Sequence, residues 1–221
     1  MVEVTSPAHA ASDPSARLRR AMIDGQLRVD GVNDPVLLTA FDTVPREDFV
    51  PAERRSAAYS DRRQPLGHGR FLVPPISHGH MLLEARPGPD DRVLLIGGGT
   101  GYLAALLEPM VASLDVVESE PALVEAAPVR AGRWTIGPLA EGAPEGAPYT
   151  LLLIDGAIEQ LPDSLVEQIG DDGRVVCGLL ERGVTRLAVG RKAAGRVAFL
   201  MVDESDFPLL DDFRLPRRWS F

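Results

Sequence analysis

The stretch Arg92-Val-Leu-Leu-Ile-Gly-Gly-Gly-Thr-Gly-Tyr102 constrains this chain more than any other. Val93 to Ile96 is a continuous apolar run, long enough for a strand buried on both faces and too short for a helix of its own. Gly97, Gly98, Gly99 and Gly101 then break it. Beyond them Leu103, Leu106 and Leu107 recur with the spacing of one helix face, and Pro109 is expected to end that helix early. Strand, glycine turn and helix form the unit with which α/β proteins hold a nucleotide-like ligand at a strand's carboxyl end. The glycines admit positive φ and let a ligand approach backbone N–H groups without Cβ atoms in the way.

A glycine turn alone is a weak signal, and an α/β turn that holds nothing is the competing reading. The next strand strengthens the ligand reading. Leu114 to Val117 ends in Glu118, about twenty residues after the turn, where such folds grip a ribose diol. NAD and S-adenosylmethionine both present a ribose to that place, so these residues leave the ligand open.

Charge and cysteine content narrow the classes. Lys+Arg 23 against Asp+Glu 32 leaves a net charge of −9, which disfavours nucleic acid or an anionic membrane surface as partner. The single cysteine, Cys177, excludes an intrachain disulfide framework and a Cys-rich zinc site, and its apolar surroundings predict a buried, inert thiol. No secretory segment or long apolar span is visible, so a soluble, cytoplasmic protein is expected. His78 and His80, two apart on a predicted helix, point to different faces without a supporting acid or cysteine cluster. They read as helix-surface histidines, with no metal site, and Ser77 beside them reads as a helix-start cap.

In chain order, residues 1–11 lack apolar period and read as a disordered tail. Asp13-Pro14 starts a helix with the face Leu18, Met22, Ile23 and Leu27, and Asp34-Pro35 starts a second. Val44-Pro-Arg-Glu-Asp-Phe-Val-Pro51 is a proline-bounded connector, with a short helix after it. The segment from Asp61 to Pro75 is rich in breakers and reads as loop or short extended pieces. A helix is predicted over Ile76–Ala85, strands over Trp134–Gly137, Tyr149–Ile154 and Arg174–Leu179, and a helix over Leu161–Ile169. Thr185–Val189 and Arg196–Val202 read as a hairpin with its turn through Gly190–Gly195, and a last edge strand is placed near Trp219. The pattern predicts an α/β sheet, mostly parallel with an antiparallel edge, under an N-terminal helical cap. Residues 12–85 would form the cap and a substrate-facing loop, and 86–221 the ligand-binding α/β part of one continuous globular unit.

This order, with these words in it, resembles the protein-L-isoaspartate O-methyltransferase family of S-adenosylmethionine-dependent enzymes. The carrying residues are Met22-Ile-Asp-Gly-Gln-Leu27, the Val44–Pro51 connector, Ala58-Tyr-Ser-Asp61 and Leu66-Gly-His-Gly69. They continue with the Ile96–Tyr102 turn, Val117-Glu118, Ala147-Pro-Tyr149 and Leu161-Pro-Asp-Ser-Leu-Val-Glu-Gln168. The connector is the most specific piece, because generic methyltransferases lack it. The resemblance implies a Rossmann-like class I methyltransferase sheet and S-adenosyl-L-methionine as cofactor. It also implies transfer of a methyl group to a carboxylate in a protein or peptide. By position, Gly97, Gly98, Gly99, Gly101 and Tyr102 would line the cofactor and Glu118 would take its ribose hydroxyls. His68 and Gly69 would face the substrate, with Arg70 and Asp155 as further candidates for the reacting end.

The chain departs from the family pattern at five places. After Gly-His-Gly the family has Gln-Thr-Ile-Ser-Gln-Pro, whose hydroxyls face the reacting carboxylate; here Arg70-Phe-Leu-Val-Pro-Pro75 puts Phe71 and Val73 at those positions. The family's acid two before the first glycine is Leu95. Its Gly-Asp-Gly near the adenine aligns with Gly137-Pro-Leu139. Pro128 shortens the helix after Glu118, and Asp155-Gly-Ala157 stands where the bacterial family usually has Thr-Ala-Ala. Methyl transfer needs alignment and water exclusion more than a base, so loss of the hydroxyls argues for an altered acceptor or slower chemistry. Arg70 reads as a solvated surface arginine first and as a carboxylate clamp second, while Asp155 reads equally as a turn residue or a ligand contact. The competing functions are a cofactor-binding member that has lost catalysis, or a methyltransferase for a different carboxylate.

Overall fold

The computed structural model describes residues 14–215, so the tail expected over 1–11 and the edge strand expected near Trp219 lie outside the described residues. Helix α1, Pro14–Met22, continues into a π-helical turn, Ile23–Leu27. Its expected face is buried only from Met22 onward, with Leu18 45% exposed, because the helix meets the body through its last turn. Helix α2, Pro35–Thr43, starts where expected: Asp34 Oδ1 accepts from the Val36 and Leu37 N–H groups at 2.8 and 3.1 Å. The breaker-rich segment is a small antiparallel hairpin, β1 Gln64–Gly67 and β2 Arg70–Leu72. Gly67, His68 and Gly69 all take positive φ in its turn, which only a glycine-rich loop tolerates. Helix α3, Pro75–Ala85, follows.

The main sheet is built from β3 Arg92–Ile96, β4 Ser113–Glu118, β5 Arg133–Ile136, β6 Tyr149–Ile158, β7 Ile169–Glu181, β8 Val184–Ala193 and β9 Arg196–Glu204. Helices α4 Tyr102–Leu107, α5 Pro121–Glu125 and α6 Asp163–Gln168 join them. The order is β5-β4-β3-β6-β7-β8-β9, parallel from β5 to β7 and antiparallel beyond. The chain leaves β3 for β4 on one side and returns to β6 on the other, so the carboxyl ends of β3 and β6 flank a switch-point crevice. Register fixes what meets there. Ile96 lies opposite Val117 and Ile154, which sets Gly97, Glu118 and Asp155 side by side on one edge.

Alternation along β3 explains its unbroken apolar run. Val93 and Leu95 face a core shared with the cap residues Met22, Phe41 and Leu82, while Leu94 and Ile96 face a second core with Leu165 and Phe213. Both faces are covered, as a parallel strand requires.

Three boundaries differ from expectation. The β8–β9 turn is only Ala194-Gly195, both at positive φ, and Gly190 lies within β8 because the Phe199 ring packs across it. Strand β7 starts at Ile169 rather than Arg174, so Asp171-Asp-Gly173 is an irregularity inside it. Strand β6 runs past Asp155 to Ile158, because the segment after β9 lies along its end. The Ala157 N–H donates to the Pro208 carbonyl at 2.8 Å and the Leu210 N–H to the Ala157 carbonyl at 3.0 Å. Cys177 is buried in β7 as expected, and burial pushes its thiol up from 9.0 to about 12.

Truncation of the fully buried Leu153 to alanine is expected to cost about 2–5 kcal/mol, read as a lower urea midpoint at unchanged slope. The raised Cys177 thiol gives a second expectation. The unfolded chain ionises near pH 9 while the folded chain holds its proton to about 12, so stability falls as pH rises through that window. Urea titrations at pH 8 and above should show the decline, and Cys177→Ala should make it shallower.

Candidate functional site

The glycine turn sits where the sequence places it. Gly97, Gly99 and Gly101 have φ of +80°, +55° and +94°. Gly98 is needed for a different reason: a Cβ there would overlap Val116 and come within 2.9 Å of the Trp134 ring. The N–H groups of Gly97 and Gly98 both donate to the Val117 carbonyl, locking the turn to the end of β4.

Glu118 ends β4 with no solvent exposure. Its Oε2 accepts from the Gly99 N–H at 2.6 Å, and its Oε1 accepts from the Ser119 and Glu120 N–H groups at 2.9 and 3.1 Å. Arg70 Nη1 donates to the same Oε1 at 2.9 Å. Arg70 is therefore no solvated surface residue. Its side chain is only 10% exposed, because β2 carries it over the turn, where its Nη2 lies 2.9 Å from the place a Gly97 Cβ would occupy. Leu66 of β1 and Leu210 from the segment along β6 close the remaining sides of the turn.

Asp155 lies on the neighbouring strand end, but its carboxylate is taken. His78 Nε2 meets Asp155 Oδ1 at 2.8 Å, with the histidine fully buried. His78 is thus no surface residue: α3 turns it into the interface with the sheet, while His80 on the next face reaches Asp30 at 3.0 Å. Ser77 does not cap α3. Asp61 does, accepting the Ile76 N–H at 3.1 Å, and Ser77 is buried against Ser205. His68 stays exposed at the hairpin tip, 3.5 Å from Glu120. The Tyr102 ring turns into the cap interface, where it packs on Phe49 and His78. Among the described residues, no group of three or more His, Cys, Asp or Glu could hold a metal, and no helix is long and apolar enough to cross a membrane.

The Val44–Pro51 connector has a role that sequence reasoning left unassigned. Arg46 is fully buried and donates from Nε to the Ala58 carbonyl at 2.7 Å and from Nη2 to the Val73 carbonyl at 2.6 Å. Its guanidinium lies 4.9 Å from the Tyr102 ring centre. Burial lowers its pKa, against the opposing pull of Tyr102 and Asp155. Glu47 accepts the Tyr59 hydroxyl, and the Thr100 hydroxyl donates to the Phe49 carbonyl at 2.6 Å. The connector thus staples the cap to the glycine turn on one side and to the hairpin on the other. A proline-bounded Arg-Glu pair among apolar residues was the signal for it.

The sheet order, the switch-point crevice and a buried acid beside a glycine turn define a Rossmann-like class I methyltransferase architecture. A family model described as Protein-L-isoaspartate(D-aspartate) O-methyltransferase (PCMT) matches residues 17–207. The chain belongs to that family. It is 35% identical over 200 residues to a protein-L-isoaspartate O-methyltransferase of Koribacter versatilis, covering 87% of this chain and 90% of the relative. It is 33% identical to another from Methanoculleus marisnigri, covering 91% and 96%. Two solved structures share the fold. One is a protein-L-isoaspartate O-methyltransferase with a TM-score of 0.74 at 22% identity, of which this chain spans 65%. The other is a Plasmodium falciparum protein-L-isoaspartate O-methyltransferase, described as putative and solved in complex with S-adenosyl-L-homocysteine, with a TM-score of 0.73 at 16% identity over 98% of its length.

Removal of the His78 imidazole by His78→Ala should leave the buried Asp155 carboxylate without its partner and cost roughly 1–3 kcal/mol in urea unfolding. The double variant His78→Ala/Asp155→Ala should lose less than the sum of the two single variants, as a paired contact requires.

Proposed function

We propose that this protein is an S-adenosylmethionine-dependent O-methyltransferase of the protein-L-isoaspartate (D-aspartate) type. It would methylate a carboxylate in a protein or peptide, as a repair reaction in the cytoplasm. The observation that carries this reading is the pairing of a positive-φ glycine turn with the Glu118 carboxylate at the adjoining strand tip, in a chain of this family. The cofactor frame fits. Gly97, Gly99 and Gly101 present backbone without Cβ atoms, Glu118 stands at the strand tip with Oε2 accepting from a single donor, and Arg70 is the one side chain among those donating to that acid. S-adenosylmethionine supplies a methyl group already activated on a sulfonium.

The residues of this chain supply position and dryness. An acceptor carboxylate is ionised near neutral pH and needs no base, so Asp155 and His78, occupied with each other, need not take its proton. Leu72 of β2 and Val73 after it are buried in the apolar core under the hairpin, and Leu66 and Leu210 shield the turn. Excluding water and aligning oxygen, carbon and sulfur supply much of the acceleration. Without the hydroxyls of the family loop, turnover should be slower by roughly two or three powers of ten, the effect of a lost charge-stabilising donor. Residues 12–85 act as the substrate-facing cap and 86–221 as the cofactor half.

A second reading, a family member that binds partners without catalysis, draws on Arg70 holding Glu118. Labelled methyl transfer to an isoaspartyl peptide distinguishes them. Formation of S-adenosylhomocysteine and a base-labile methyl ester is expected. Cofactor binding without turnover on any carboxylate peptide would leave only the second reading. Glu118→Ala should weaken S-adenosylhomocysteine binding at least tenfold in calorimetry, about the worth of one charge-assisted hydrogen bond.

A further inference from the structure

Glu118 is claimed twice. Its Oε1 already accepts from the Ser119 and Glu120 N–H groups and from Arg70 Nη1, more than the two lone-pair sites of one oxygen, while Oε2 accepts from the Gly99 N–H alone. A ribose hydroxyl finds room on Oε2, but a diol that spans both oxygens gains its second place only if one of the donors on Oε1 leaves. The N–H groups of Gly99, Ser119 and Glu120 belong to the turn and the strand end and cannot leave without unfolding them. Arg70 can leave by side-chain rotation alone. Its Nη2 also lies directly over Gly97, on the surface that a ligand of the turn would cover.

A guanidinium that leaves Glu118 in a nearly closed site needs another anion. Of the two other carboxylates along this edge, Asp155 is engaged by His78, and Glu120 lies out in solvent 3.5 Å from His68, where water already meets its charge. Phe71 and Val73 offer it no acceptor in their side chains. The carboxylate that remains is one brought by a ligand.

Resting on the function proposed above, we propose that Arg70 is a two-position residue that sets acceptor specificity. It sits on Glu118 while the cradle is free, is displaced by the cofactor's ribose hydroxyls, and then clamps the carboxylate of the acceptor. The clamp supplies, by charge, part of what the missing loop hydroxyls would supply, and it couples acceptor binding to cofactor binding. An uncharged residue at this position could not hold Glu118 by charge, so the exchange depends on Arg70 itself.

The test compares the wild type with Arg70→Gln by calorimetry and kinetics. The probe 5′-methylthioadenosine carries the ribose diol but no carboxylate. It should bind the variant about tenfold more tightly, the factor expected if about one molecule in ten of the wild type has its cradle open. Equal or weaker binding by the variant overturns the exchange. S-adenosylhomocysteine adds a carboxylate of its own. The same gain with that compound supports the acceptor as the partner of Arg70, whereas loss of the gain assigns Arg70 to the cofactor's carboxylate and overturns the clamp. With cofactor saturating, the KM for an isoaspartyl peptide should rise about tenfold in the variant with a smaller change in kcat, and an unchanged KM also overturns the clamp. Absence of heat from both proteins with both nucleosides would overturn the proposed function itself, which separates that failure from failure of the exchange.

Discussion

The buried carboxylate of Glu118 is the point on which the rest of the ligand edge depends. An ionised acid without solvent exposure is costly, and it persists because charge-assisted hydrogen bonds replace its water. Those bonds do structural work as well. The Gly99 N–H is held by the acid, the Ser119 and Glu120 N–H groups shape the start of α5, and Arg70 draws the β1–β2 hairpin down over the turn. One side chain therefore orders the glycine turn, the next helix and the loop above them.

A second set of buried polar contacts holds the cap in place. Among the described residues Arg46 has no carboxylate partner at hydrogen-bond distance; two carbonyls and the Tyr102 face take its charge. Both carbonyls lie beyond the connector, one before the hairpin and one after it. The Arg46 contacts consequently fix the distance between the cap and the strand that carries Arg70. Next to them, His78 and Asp155 tie α3 to the end of β6.

The departures from the family pattern now have physical content. Val73 is fully buried and its carbonyl anchors Arg46, so the position keeps a backbone role after losing its hydroxyl. Asp155 brings a charge to the end of β6, and His78 answers it from the facing helix. Arg70 answers Glu118. Opposite charges thus meet in pairs across the crevice, which limits the cost of burying them. An apolar groove of about 490 Å³ between α2 and α4, lined by Val36, Ala40, Val44, Ala105 and Met110, includes none of these crevice residues.

What the amino-acid sequence determined by itself was local or periodic. The β3 apolar run, the glycine turn, the acid about twenty residues later and the Asp-Pro helix starts are legible because each follows from backbone sterics or one-dimensional spacing. So is the α/β order, because strand and helix alternate along the chain. The pairings of long side chains were decided only in three dimensions. Whether Arg70 meets water or Glu118, 48 residues away, depends on where a two-stranded hairpin comes to rest over the sheet. His78 faces Asp155 and Tyr102 turns into the cap because helix rotation is set by the whole packed interface, not by the spacing within α3 or α4. Flexible charged side chains have many partners within reach, and burial selects among them only after the fold has formed.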